Sequence, residues 1–200
     1  MLKLHYAPRT ISVVVAILIE ETGTACTLHR VDFASGEQTT DTYREINPKS
    51  RVPAVETPDG ILTETPAIVE YLFPDLVPDD PFAAAKMREL ISYLNGTMHP
   101  HHAHGLRGER WADLQSSFAD MRQKMPKRMA ECCAYLEDYL PSLPYPTGQM
   151  EVLSDAYLYV VLSWLAGDGV DIMHYPRLAA FQHQMNTRPS VQAVFEKGML

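Results

Sequence analysis

Asn47-Pro48-Lys49-Ser50-Arg51-Val52-Pro53-Ala54-Val55, followed after the turn Thr57-Pro58-Asp59-Gly60 by Leu62-Thr63-Glu64-Thr65-Pro66-Ala67-Ile68, is the stretch from which the fold can be read. A proline that enters a strand must sit at its start or edge, because it has no N–H to give to the ladder. Residues 52–56 and 61–64 then read as two strands around a Pro-Asp-Gly turn, a strong hairpin signal. Thr65-Pro66 opens a helix through residue 72, with proline where a helix tolerates it. With a cis Val52–Pro53 bond, the backbone N–H and C=O of Val52 would be left unpaired by the sheet and able to bind an extended peptide. The plain alternative is an ordinary proline at a strand start. Thr65 stands at a helix N-terminus, where free N–H groups and the macrodipole favour an anion. Its hydroxyl adds a donor for a carboxylate, and Glu64 offers charge to an ammonium. Together they complement an α-amino acid head group, although each alone is also an ordinary helix cap.

Upstream of this stretch, residues 2–7 alternate and then meet Pro8, which predicts a short strand. Thr10 or Ser12 can cap a helix reaching Glu21 and closed by Gly23. Residues 26–33 read as a second strand, and a polar stretch over 34–50 holds one helical turn near 43–46. The order is strand, helix, strand, loop or helix, hairpin, helix: a compact α/β unit in roughly the first eighty residues. Prolines and aspartates crowd residues 73–81, with the linker itself at 77–81. Everything after it has helical period. Helices are expected over 82–102, 111–125, 127–139, 153–166, 177–185 and 189–196. The whole is a small α/β domain followed by an all-α domain.

Composition narrows the function classes. Apolar residues form 46% and charged residues 21% of the 200 residues, ordinary values for a globular protein. Seventeen Lys and Arg against 25 Asp and Glu leave a net charge of -8, which provides no footprint for nucleic acid. Three cysteines, two of them adjacent at 132 and 133, cannot form a stapled framework and suit a reducing compartment. The apolar run from Ile11 to Ile19 is too short to cross a bilayer and reads as a buried helix. A cytoplasmic protein with no membrane partner is expected.

At this point the sequence resembles the glutathione transferase family over essentially its whole length. Residues 47–55 and 62–72 look like the family's glutathione-binding segments. Ser154-Asp155-Ala156-Tyr157-Leu158 with Trp164 looks like its C-terminal helix, and Leu178-Ala179-Ala180-Phe181 with Arg188-Pro189-Ser190-Val191 like its closing segments. The nearest pattern is the bacterial beta-like group. The resemblance implies a thioredoxin-like glutathione-binding domain over 1–76 and an all-helical domain over 82–200 that carries the electrophile. It implies that Val52 and Pro53 meet the cysteinyl backbone of glutathione, that Glu64 and Thr65 hold its γ-glutamyl end, and that Arg51 reaches a carboxylate. A homodimer with a detoxifying role and no metal is also implied.

The family's chemistry needs the thiol as a thiolate near neutral pH. Lowering a free thiol from about 8.5 by ~2 takes roughly 2.7 kcal/mol. One hydrogen bond to the charged sulfur contributes about 1.5–3 kcal/mol, and a helix N-terminus about 0.3–1 kcal/mol. One hydroxyl near the start of the first helix therefore suffices. The beta-like group carries a cysteine where this chain has Ile11, which can neither donate nor form a mixed disulfide. Thr10, Ser12 and Tyr6 are the remaining candidates; the helix dipole favours the first two, and a packed strand position is the alternative for Tyr6.

Half of the eight histidines lie in His99-Pro100-His101-His102-Ala103-His104. His99 and His102 would share one helix face, but no carboxylate or cysteine in the run completes a metal site. By the resemblance, His102, or His99 after a three-residue shift, falls where the family has a histidine near the sulfur. The electrophile is expected near Tyr93, His99, His102 and Trp111. By the resemblance, Asp155 matches the aspartate of a capping box whose Ser or Thr partner position is Val152 here, so Ser154 is the expected substitute cap. Conjugation of glutathione to an electrophile is the main expectation. A glutathione-dependent isomerase or dehalogenase uses the same thiolate, and a non-catalytic binding or regulatory member is the rival that Ile11 favours.

Overall fold

The computed structural model describes residues 1–200. They form two compact units, Met1–Val77 with Asn186–Leu200, and Pro78–Met185. The first unit begins with β1 (Leu2–Tyr6), α1 (Val13–Thr22), β2 (Cys26–Arg30) and α2 (Asp41–Ile46). It continues with β3 (Ala54–Thr57), β4 (Gly60–Thr63) and α3 (Thr65–Leu72). The sheet order is β2-β1-β3-β4, parallel between β1 and β2 and antiparallel elsewhere. This is the expected thioredoxin-like α/β arrangement.

Val13 to Ile19 are all buried, so α1 is apolar all round and must be covered on every side. Gly23, in the left-handed conformation, closes it by donating its N–H to the Ile19 carbonyl. One cover comes from the far end of the chain. The helix α9 (Pro189–Glu196) packs on α1, and Glu21 accepts from both Arg188 and Ser190. The Arg9 N–H donates to the Met199 carbonyl at 2.8 Å, and Lys197 pairs with Glu20. A helical unit running unbroken over 82–200 therefore does not describe the chain. Residues 186–200 belong to the first unit, where α9 covers part of the apolar surface of α1.

The second unit holds α4 (Pro81–Tyr93), α5 (His99–Leu106), α6 (Gln115–Tyr139), α7 (Leu153–Leu162) and α8 (Pro176–Asn186), whose last residue belongs to the first unit. Between α4 and α5 lies one wide π turn over Leu94–Met98, in which the His99 N–H reaches back to the Leu94 carbonyl. The wide turn lets the helical path continue into Pro100, which has no N–H and crowds the turn behind it. The Tyr157 hydroxyl donates to Asn95 Oδ1 at 2.9 Å and ties this turn to α7. All ten residues of α7 are buried, as expected for a central helix.

Two expectations are corrected here. The predicted break between 125 and 127 is absent, and α6 runs straight through Pro126. Met125, Met129, Cys132, Cys133 and Leu136 are buried along it, and their packing outweighs the roughly 3 kcal/mol that an interior proline costs. Ser154 is not the cap of α7; Val152 is the extended residue before it, and the Asp155 carboxylate accepts from the Met150 N–H at 3.0 Å. Asp155 thus secures the chain entering α7. No helix is long and apolar enough to cross a membrane.

Candidate active site

Topology gathers the predicted residues of the first unit. Because β3 runs against β1 and β4 against β3, three segments meet at one end of the sheet. They are the turn after Tyr6, the loop before Ala54 and the junction after Thr63. Ala54 is in register with both His5 and Thr63, so Val52-Pro53 and Glu64-Thr65 flank the same end of the β3-β4 ladder.

The loop before β3 is pinned from below. Arg51 offers its carbonyl to the Tyr43 hydroxyl at 2.9 Å and to Asn47 Nδ2 at 2.7 Å, and buried Asn47 also accepts from the Lys49 N–H. Burial pushes the Tyr43 hydroxyl up to about 12, so it remains a donor. The Val52–Pro53 bond is cis, and the Val52 backbone lies outside the ladder that starts at Ala54. The Arg51 side chain is exposed.

At the start of α3, Glu64 has φ 70°, a left-handed conformation that glutamate seldom adopts. Such backbone persists where the surroundings hold it, and it clusters at ligand sites. Thr65 is buried in the first turn, beside Pro66, which has no N–H of its own. Lys49, missed as a site residue in the sequence, reaches Glu64 at 2.7 Å and the Thr63 hydroxyl at 2.6 Å. The carboxylate expected to meet an ammonium already has a cation beside it. The spacing of fifteen positions between Lys49 and Glu64 has no local signature, and only the hairpin joins them.

The three hydroxyl candidates separate. Neither Thr10 nor Ser12 caps α1, because Ser12 is already helical in backbone and makes no capping bond. Both hydroxyls serve the turn instead. Thr10 donates to the Ala7 carbonyl at 2.8 Å and lies 2.6 Å from Ser12 Oγ, which accepts from the Ala7 N–H at 3.1 Å. Ser12 is 0% exposed and Tyr6 is buried, so Thr10 is the one half-buried member. Ile11 is buried beside them.

In the second unit, His102 Nδ1 meets both carboxylate oxygens of Asp168, at 2.8 and 2.9 Å. Its ring stacks on Trp164 with centroids 4.3 Å apart and planes 21° from parallel. His99 stands 5.0 Å from the same indole. Trp111 packs edge-on against His104, in an irregular segment and not at a helix start. Tyr93 packs on Tyr135 at 4.6 Å, and burial, then Cys132, pushes its hydroxyl well above the ordinary tyrosine range. Of the four expected electrophile residues, His99 and His102 therefore share one aromatic neighbour, while Tyr93 and Trp111 each sit in a different one. Asp168 was not found from sequence; it is an acidic residue between two glycines, distant in sequence from His102.

No group of three or more His, Cys, Asp or Glu is arranged to hold a metal ion. The cysteines are free, with Cys132 and Cys133 buried and Cys26 half-buried. Burial raises all three thiols, Cys133 to about 12.

Residues 2–73 match the family model of the glutathione S-transferase N-terminal domain. The glutathione S-transferase GstA of Escherichia coli O157:H7 is 30% identical over 199 residues, covering 96% of each chain. A maleylacetoacetate isomerase of Pseudomonas aeruginosa is 27% identical over 151 residues, covering 72% of this chain and 70% of that one. A glutathione transferase homolog from Sulfitobacter, solved with bound glutathione, is 49% identical and superposes with a TM-score of 0.92, covering 100% of this chain and 99% of that one. With the sheet order, the left-handed junction before α3 and identity spread along nearly the full length, the chain belongs to the glutathione S-transferase family.

Proposed function

We propose that this chain binds glutathione at the end of its sheet and transfers the thiolate to an electrophilic small molecule. The cis Val52–Pro53 bond and the left-handed Glu64 at the same end of the β3-β4 ladder are the observations that support the reading. Val52 pairs with the cysteinyl backbone beside Pro53. Glu64 and Thr65 hold the γ-glutamyl group, with Lys49 shared between Glu64 and a ligand carboxylate and Arg51 reaching the other. Thr10 is the hydroxyl best exposed to donate to the sulfur, with Tyr6 and Ser12 behind it. His102 serves the thiol, and His99, Tyr93 and Trp111 serve the electrophile. A new S–C bond forms as the thiolate attacks carbon and the leaving group departs with its electron pair. The family resemblance supports a cytoplasmic homodimer with a detoxifying role.

Calorimetric titration with glutathione, read together with the ultraviolet absorbance of the thiolate, tests this. Saturable binding with a rise in thiolate absorbance at neutral pH is expected. No binding at millimolar glutathione would sink the reading, and binding without thiolate would point to a non-catalytic member. The likeness to a maleylacetoacetate isomerase favours a second reading, a glutathione-dependent isomerase. The two differ in thiol balance, since conjugation consumes one glutathione per turnover and isomerisation returns it.

A further inference from the structure

Arg9, the residue before Thr10, has φ 57°, a left-handed conformation that glycine takes freely and arginine does not. Its side chain is exposed, and its backbone is held by the Met199 carbonyl, which accepts the Arg9 N–H at 2.8 Å. That carbonyl is delivered by the end of α9. The Met199 N–H donates to the Val194 carbonyl at 3.0 Å and the Gly198 N–H to the Phe195 carbonyl at 2.9 Å, with Gly198 left-handed at φ 67°. This pair of bonds closes a helix and turns the chain aside after it. Met199 is 1% exposed, so its buried side chain anchors the turn while its carbonyl faces Arg9. Arg188 and Ser190 at the start of α9 bind Glu21, and Lys197 at its end binds Glu20, which fastens the helix to α1. All of these residues belong to the first unit.

The turn that Arg9 enters carries the candidate hydroxyls. Thr10 and Ser12 bond to each other and to Ala7, all within that turn, whereas the Met199 carbonyl reaches it from another element. A rotation at Arg9 would carry Thr10 away from Ala7 and Ser12. We propose that Met199 is a positioning residue: its backbone carbonyl holds Arg9 left-handed and so keeps the Thr10 hydroxyl where it donates to the glutathione sulfur. This rests on the reading of Thr10 as the sulfur's partner. When Thr10 turns its hydrogen from the Ala7 carbonyl to the sulfur, Ser12 Oγ gives its own to Thr10 Oγ1, 2.6 Å away, and still accepts from the Ala7 N–H.

Gly198→Val tests this away from the site. A β-branched residue is an outlier at φ 67°, and a Cβ there meets nothing within 4 Å, so the change acts on the backbone that delivers Met199 and not through a clash. The thiolate absorbance of glutathione bound to the full chain, followed against pH, is expected to appear about 1 pH unit higher than in the wild type, a roughly tenfold loss of thiolate on the acid side. Affinity for S-methylglutathione, which has no thiol to ionise, should stay within ~2-fold, as expected for contacts remote from the change. A general loosening of the fold would weaken both. Gly198→Ala, less strained at the same φ, is the second variant and should shift the titration in the same direction by less. Arg9→Gly keeps the N–H and adopts φ 57° without strain, so added to either variant it should restore most of the shift. Arg9→Ala, which removes only the exposed guanidinium arm, should leave the titration unchanged; a shift as large as that of Gly198→Val would overturn the proposal. If Thr10→Ala does not shift the thiol, Thr10 is not the sulfur's partner and the proposal falls with that reading. If Thr10→Ala shifts it and the Gly198 variants do not, or if Arg9→Gly restores nothing, the positioning role alone fails.

Discussion

At Thr65 a buried hydroxyl sits in the first turn of a helix whose preceding residue is left-handed. Its proposed contact with the ligand is the same in the ground state and in the transition state, so Thr65→Ala should act on binding. We expect KM for glutathione to rise about tenfold, the worth of one hydrogen bond to a charged group at ~1.5 kcal/mol. Steady-state kinetics should show kcat nearly unchanged, and an unchanged KM would count against the role. Thr10 and Ser12 make a sharper pair. Ser12→Ala leaves the Ala7 N–H without its acceptor in a sealed turn, so urea denaturation should show a loss of about 1–3 kcal/mol. Thr10→Ala should cost less stability and instead reduce the thiolate absorbance of bound glutathione. The reverse pattern would make Ser12 the sulfur's partner.

At the scale of elements, the two ends of the first unit are joined through α1 and α9. Burial acts to raise the Glu21 carboxyl, but bonds from Arg188 and Ser190 outweigh it and bring the value below the ordinary 4.5. That stabilisation is present above the unfolded value and is lost as pH falls through the folded one. Glu21→Gln should therefore destabilise the protein at pH 7 by about 1–3 kcal/mol, and much less at acid pH. Equal penalties at both would show that α9 is held by apolar packing alone. The positions of α1, α3, β3 and β4 were legible from short-range signals: the all-apolar run, Gly23, the Pro-Asp-Gly turn and Thr65-Pro66. The helix through Pro126 was not, because proline's local cost is readable in sequence and the burial that offsets it is not. The same holds for Pro100, which is carried by a wide turn that Tyr157 supports from another helix.

Across the whole molecule, His5 links the sheet to the pH of the medium. It is 1% exposed at the middle of the sheet and 2.7 Å from Glu56. Its ring packs 4.9 Å from His29 and 5.9 Å from Tyr43, and its Nδ1 is buried without a partner. Burial lowers it below the ordinary 6.5, more than the bond to Glu56 raises it, and Lys3 and His29 add to the lowering. Glu56 is lowered by its bonds to His5 and Lys3. Between 6.5 and the lower folded value, the unfolded chain binds more protons than the folded one. Stability should therefore fall as pH drops below 6.5, by at most about 1.4 kcal/mol per pH unit from this one group. Urea midpoints measured against pH check this, and His5→Gln should flatten the slope in that window; an unchanged slope would exclude His5 as its source.

The sequence by itself determined what depends on neighbours along the chain. That includes the thioredoxin-like order of elements, the hairpin, the helix opened by Thr65-Pro66, and the family to which these motifs point. It also singled out Glu64, Thr65 and Val52 as candidates, because a Val-Pro strand start and a helix N-terminus are local motifs. Tertiary structure alone decided the rest. It sealed Ser12 and left Thr10 accessible, set Lys49 against Glu64, returned the last residues to α1, and paired His102 with Asp168 across 66 positions. Periodicity and turn chemistry act over a few residues, whereas burial and side-chain pairing depend on which distant elements pack together.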